Sequence, residues 1–129
     1  MTLCGLACQK ARPAQVAEVE LLVEVQSEVE APRTFIFISP EPCDAPDAAR
    51  KKFGGMDARK VGRTFVEIFV PQGTIGYACA AAFDAQGRLV GLGGAADNPL
   101  HMEGKGEVTF KPTIQVKRLP EPRAAPAGF

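Results

Sequence analysis

The stretch "VAEVELLVEVQSEVEA" (16–31) decides how the rest of the chain is read. Val19, Leu21, Val23, Val25 and Val29 share one parity, while Glu18, Glu20, Glu24, Gln26, Glu28 and Glu30 hold the other. Successive side chains of a strand point to opposite faces, so a period of two lays an apolar row against a core and an acidic row in water. This is a half-buried strand, and Ala31-Pro32 ends it.

The neighbouring segments follow the same grammar. "TFIFIS" (34–39) is a continuous apolar run and reads as a central strand covered on both faces, with a turn of buried helix as the alternative. "RTFVEIFV" (63–70) is the next strand, and Pro71-Gln72-Gly73 turns the chain into "TIGYACAAAF" (74–83). There Ile75, Tyr77, Cys79, Ala81 and Phe83 share a face, and Phe65 or Phe69 is expected to meet Ile75 and Tyr77 in one core. "DAQG" (84–87) fits a hairpin loop with Gly87 at positive φ, returning through "RLVGLG" (88–93). A polar, Gly-rich loop follows over 94–106. The last strand, 107–118, turns Val108, Phe110, Ile114 and Val116 inward, and Pro112 places it at an edge or on a bulge. Between the second and third strands, Asp44 and Pro46 open and Gly54 closes one short helical insert near 44–54.

These elements predict an all-β fold: a single antiparallel β-sandwich of six to seven strands with that one insert. Residues 16–119 form the domain, 1–15 a leading tether and 120–129 a flexible Pro/Ala-rich tail. At 129 residues the chain is long enough to bury a core without metals or disulfides. Fifteen basic residues balance fifteen acidic ones, which gives no electrostatic argument for nucleic acid or for an anionic membrane surface. No stretch approaches the roughly 18 apolar residues of a spanning helix.

The run Val70-Pro71-Gln72-Gly73-Thr74-Ile75-Gly76-Tyr77, continued by Phe83-Asp84-Ala85-Gln86-Gly87, resembles a motif of prealbumin-like (transthyretin-like) domains found in bacterial envelope lipoproteins. The resemblance covers about residues 63–93 and implies a prealbumin-like architecture, with an immunoglobulin-like one as the alternative. It implies no activity, because such folds host many functions.

The first residues, "MTLCGLACQK" (1–10), bear on location. Leu6-Ala7-Cys8 resembles the end of a bacterial lipoprotein signal, in which the cysteine is lipidated and becomes the first residue of the mature protein. Gly5 and Cys4 depart from that pattern, the apolar segment is short and no basic region precedes it. The reading therefore requires a start upstream of Met1. Gln9 is not the aspartate that would alter sorting, so an outer-membrane lipoprotein facing the periplasm is expected, with "KARPAQ" (10–15) as its tether. The alternative is an irregular terminus holding two chance cysteines.

Export would put Cys43 and Cys79 in an oxidising compartment, where they either pair or remain two separate buried thiols. "GTIGYACAAAF" is also similar to the Y-x-C stretch of blue-copper cupredoxins, which need a Cys, two His and a Met. The chain's one histidine, His101, cannot supply that set, and His101-Met102 is expected to be solvated. Asp84, Asp97 and Glu103 match no Ca²⁺-loop spacing, and "GLGGAADN" (91–98) reads as a flexible loop rather than a phosphate cradle. No catalytic residues, metal or cofactor are assigned. The expectation is a non-enzymatic, lipid-anchored envelope protein that binds or scaffolds a protein partner, with no nucleic acid and no small-molecule substrate identified. The alternative is a periplasmic cysteine- or metal-dependent redox protein.

Overall fold

The computed structural model describes residues 18–58, 63–103 and 109–129. Cys4, Cys8, the tether at 1–15 and Val108 lie outside the described residues. The rest is all-β. Nine strands follow one another: β1 (Glu18–Ser27), β2 (Arg33–Ser39), β3 (Gly54–Ala58), β4 (Arg63–Pro71), β5 (Thr74–Phe83), β6 (Leu89–Ala95), β7 (Leu100–Met102), β8 (Thr109–Phe110) and β9 (Thr113–Arg123).

Seven of them form one hydrogen-bonded path, β3-β2-β5-β6-β9-β1-β4, and its end strands, β3 and β4, come to lie side by side. The sheet is thus a nearly closed barrel, where two face-packed sheets were expected. Nor is it purely antiparallel. β1 pairs with β4 antiparallel but with β9 in parallel, Glu24 opposite Thr113 through Ser27 opposite Val116. Closure puts the apolar row of β1 inside: Val19, Leu21, Val23 and Val25 are at most 2% exposed. They meet Ile36 and Ile38 of β2, Val66, Ile68 and Val70 of β4, and Ile114 and Val116 of β9.

β5 and β6 fill the interior differently. Their inward positions are Ala78, Ala80 and Ala82, then Gly91 and Gly93. A Cβ built on Gly93 would overlap the Gln115 carbonyl group, so β6 and β9 approach too closely there for any side chain. The large residues of β5 point outward. Tyr77, Cys79 and Phe83 join Phe35, Phe37 and Leu89 in a second apolar cluster on the outside of the barrel. This corrects the expected core. Ile75 and Phe69, 51% and 52% exposed, are on the surface.

Segment 40–53 covers the second cluster, burying Ala48 and Ala49 against it. It is a chain of turns, not the expected helical insert; no helix occurs among the described residues. Its bonds mostly close four-residue turns, Ala45 N to Pro42 O and Ala48 N to Ala45 O, with one helical step from Lys51 N to Asp47 O. So short a helix cannot offset its own nucleation, and external ties set the path instead. Buried Ser39 donates its hydroxyl to Ala48 O at 2.7 Å and accepts from Glu41 N at 3.0 Å.

Two further corrections concern the end of the chain. Pro112 separates β8 from β9 without shifting their common register on β1, and it sits in mid-sheet rather than at an edge. Its carbonyl accepts from Glu24 N, so only the donor that proline lacks is lost from the ladder. Beyond the expected boundary at 119, β9 continues to Arg123. Pro120 and Pro122 fall in the register shift between Arg118 opposite Gly91 and Arg123 opposite Leu89. Residues expected to be a flexible tail then return to the barrel, where Phe129 packs edge-on against Phe35, Phe37 and Phe83.

The turns agree with the sequence. Gly73 closes the β4–β5 hairpin at φ 88° and Gly87 the β5–β6 hairpin at φ 78°. The loop expected over 94–106 is partly regular, since β6 runs to Ala95 and β7 pairs with the start of β5. Met102, expected in solvent beside His101, is fully buried in the barrel, while His101 is exposed.

Candidate functional site

The outer face of β5, β6 and β9 gathers most of the distinctive chemistry. Cys79 is on β5 with its side chain outward, and Cys43 reaches it from segment 40–53. The two form a disulfide, with their Cα atoms 5.4 Å apart. It fastens a segment of turns to a strand that is itself fixed on both edges by β2 and β6.

Asn98 secures the other side. Its Oδ1 accepts from Ala78 N at 2.9 Å and its Nδ2 donates to Ala78 O at 3.0 Å. The side-chain amide thereby mimics one rung of a neighbouring strand where β5 lacks one. The same Nδ2 stands 3.7 Å from Cys43 Sγ. Gly94 makes room for this arrangement, since a Cβ there would come within 2.8 Å of Cys43 Sγ and 2.9 Å of Asn98 Nδ2. The "GLGGAADN" stretch, expected to be a flexible loop, is therefore a close-packed strand and turn beside the disulfide.

Two cavities open against Cys43. One, of about 230 Å³, lies between segment 40–53 and the returning chain end, walled by Ala45, Ala48, Ala49, Leu89, Leu92 and Phe129. The other, of about 500 Å³, is a more open groove over β6 and β9, lined by Tyr77, Leu92, Leu119, Lys117, Arg118 and Arg123. Cys43, Asp44, Leu92 and Arg123 belong to the walls of both. Lys117, Arg118 and Arg123 are exposed, and among the described residues none is in an ion pair.

The other candidate residues do not converge. Asp84 is part of the hairpin turn: its Oδ1 accepts from Gln86 N and Arg88 N, and its Oδ2 pairs with Arg88 Nε at 2.8 Å. Partial burial pushes its carboxyl pKa upward, but the hydrogen bonds and charge of Arg88 and the Gln86 amide outweigh this and hold it below the ordinary value. Asp97, His101 and Glu103 are separately exposed near β7. Among the described residues no group of three or more His, Cys, Asp or Glu could hold a metal ion. The acidic row of β1 does run beside β9, where the Glu28 carboxylate accepts from the backbone amide of Arg118 at 2.9 Å.

Sequence reasoning picked out both cysteines but missed the site around them. Asn98, Arg123 and Phe129 fall in segments that carry no periodic signal, Arg118 ends a periodic strand without being marked by it, and their convergence follows from closure of the barrel. Comparison with protein-family models, curated proteins and solved structures finds no match to this chain.

Proposed function

We propose that this chain is a non-enzymatic binding module of the bacterial cell envelope, carried on a lipid anchor at Cys8 and facing the periplasm. The observation that supports this reading best is the Cys43–Cys79 disulfide, which fastens the wall of a surface groove. Such a bond persists in oxidising compartments and is rare where glutathione keeps thiols reduced. A barrel stapled in this way suits a rigid platform for a partner. Kinship with prealbumin-like domains is supported by the two turns that bracket β5, at Pro71–Gly73 and Asp84–Gly87.

Cell fractionation combined with thiol trapping tests the reading. Expressed from its extended upstream start, the protein should partition with membranes, and Cys43 and Cys79 should resist alkylation until reduced. The Cys8→Ser variant should leave the membrane fraction or stall unprocessed. A soluble cytosolic protein with two free thiols would remove both the anchor and the compartment.

A second reading is a periplasmic thiol-disulfide protein working through Cys43. It is favoured by the position of the Cys43 sulfur on both cavities, beside the Asn98 amide and the charged Arg123. Catalysed reduction of insulin disulfides by the dithiol form, lost in Cys43→Ser, would establish it; a rate equal to that of a free dithiol excludes it.

A further inference from the structure

We propose that the two cavities beside Cys43 form one site for a small amphiphilic carboxylate, an acyl or aryl chain ending in a single negative charge. The proposal rests on reading the chain as a binding module and names the ligand class of that module.

The inner cavity supplies the apolar half. Its apolar walls are alanines of segment 40–53, Leu89 and Leu92 of β6, and the Phe129 ring, while its two charged lining residues, Asp44 and Arg123, also line the outer groove. Ligand sites are characteristically apolar with a few placed polar groups, and here the charges belong to the wall shared with the groove. Cys43, Asp44, Leu92 and Arg123 form the wall it shares with the outer groove, so a chain in the inner cavity would emerge between Asp44 and the cations of β9.

The outer groove supplies the charge. Lys117, Arg118 and Arg123 line it, and among the described residues none of their side chains is ion-paired with a carboxylate. A guanidinium presents a planar fork of donors that fits a carboxylate in a bidentate manner. Asp44, on the wall of both cavities, is the one acidic residue lining them. It repels anionic groups, so the ligand's carboxylate is expected on the Lys117 and Arg118 side of the groove, and each further negative charge on a ligand gains less than the first.

Neither side wall of the inner cavity is regular secondary structure. One is the turn segment held by the disulfide and Ser39, the other the irregular stretch of 124–128, with a turn at its end, leading to Phe129. A ligand can thus enter by displacing the chain end while the stapled wall stays in place. The site has a built-in reporter, because Tyr77 lines the groove and is the chain's only tyrosine, with no tryptophan present.

The test is a titration of the full chain followed by Tyr77 emission, with the Cys43–Cys79 bond verified by mass. Sodium octanoate should give a saturable change below its micellar range, and octylammonium, with the same tail and opposite charge, should bind about tenfold more weakly or worse. Lys117→Gln with Arg118→Gln, both lining the outer groove and not the inner cavity, should weaken octanoate by about tenfold and leave octanol binding and the melting temperature unchanged. Added salt should weaken octanoate and not octanol. Equal binding of the two charged amphiphiles, an unaffected double variant, or no saturable change would each overturn the ligand class. Because the sample is oxidised by design, such a failure leaves the envelope reading to its own test, the cell fractionation.

Discussion

Phe129 stands edge-on to Phe83 with ring centroids 4.9 Å apart, closing an aromatic cluster on the outside of the barrel. Phe35 and Phe37 complete that cluster at 5.9 and 5.5 Å from the same ring. Lys52 steadies the approach by donating to Gly128 O at 2.8 Å, and Gly128 itself adopts φ 107°, a conformation that L side chains rarely reach. Phe129→Ala should therefore destabilise the protein by about 1–3 kcal/mol, combining lost apolar burial with lost ring contacts. Urea midpoints of the variant and the parent check this. An unchanged midpoint would mean that the chain end is a loose tail after all.

The disulfide closes a loop with a sequence separation of 36. Replacing both Cys43 and Cys79 by alanine should cost about 2–4 kcal/mol, chiefly through the freer unfolded chain. A reductant should lower the melting temperature of the parent and leave that of the double variant where it is. A shift of the same size in both would place the reductant's effect elsewhere.

On the outer face of β1 and β4, Glu67 carries a carboxyl pKa above its ordinary value of 4.5, first because it is hydrogen-bonded to Glu20 and then because the two charges repel. The native state therefore holds a proton more tightly at this site than the unfolded chain does. Linkage then makes the site favour folding at low pH, with that contribution lost as pH rises through the raised native value. Glu67→Gln should raise stability at pH 7 and flatten the dependence between neutrality and pH 4.5. Denaturation midpoints at several pH values decide it; an identical pH profile in the variant would remove the coupling.

The two faces of the sheet should answer very differently to truncation. Ile75→Ala, at an exposed position, should stay within about 0.5 kcal/mol of the parent, whereas Ile38→Ala, inside the barrel, should cost about 2–5 kcal/mol. Gly93→Ala should also destabilise, by about 1–3 kcal/mol, because the Gln115 backbone must move to admit the methyl group. Thermal melts of the three variants rank them, and comparable losses at Ile75 and Ile38 would contradict the assignment of faces.

How much of this was legible depends on what kind of signal each element carries. β1 was readable because its acidic and apolar rows differ in chemistry, and the tight turns because Gly73 and Gly87 are needed there at positive φ. β5 misled for a physical reason. The inside of a small barrel has room for Ala78, Ala80 and Ala82, so the bulky residues that usually mark a core lie on its outer face. Once both faces of a strand are buried, alternation no longer says which is inside. The parallel pairing of β1 with β9 has no local signature at all, since it joins segments far apart in the chain. The candidate site inherits that limit: Cys43 and Cys79 are conspicuous as residue types, but Arg118 and Arg123 acquire a role only through the strand that carries them.

The position of β1 between β4 on one edge and β8 and β9 on the other also constrains the order of events as the protein is made. β1 cannot be covered on both edges until the stretch from Thr109 to Val116 has left the ribosome, so the first strand described waits for the last two. Loop closure over such a span must be completed before its contacts reward it, which makes for slow folding and a long exposure of apolar surface. A nascent chain arrested before Thr113 should show rapid amide exchange along β1 and engage chaperones, and protection should appear only once β9 is released. Early protection of β1 in the arrested chain would show that the β1–β4 pair is stable without its parallel neighbour.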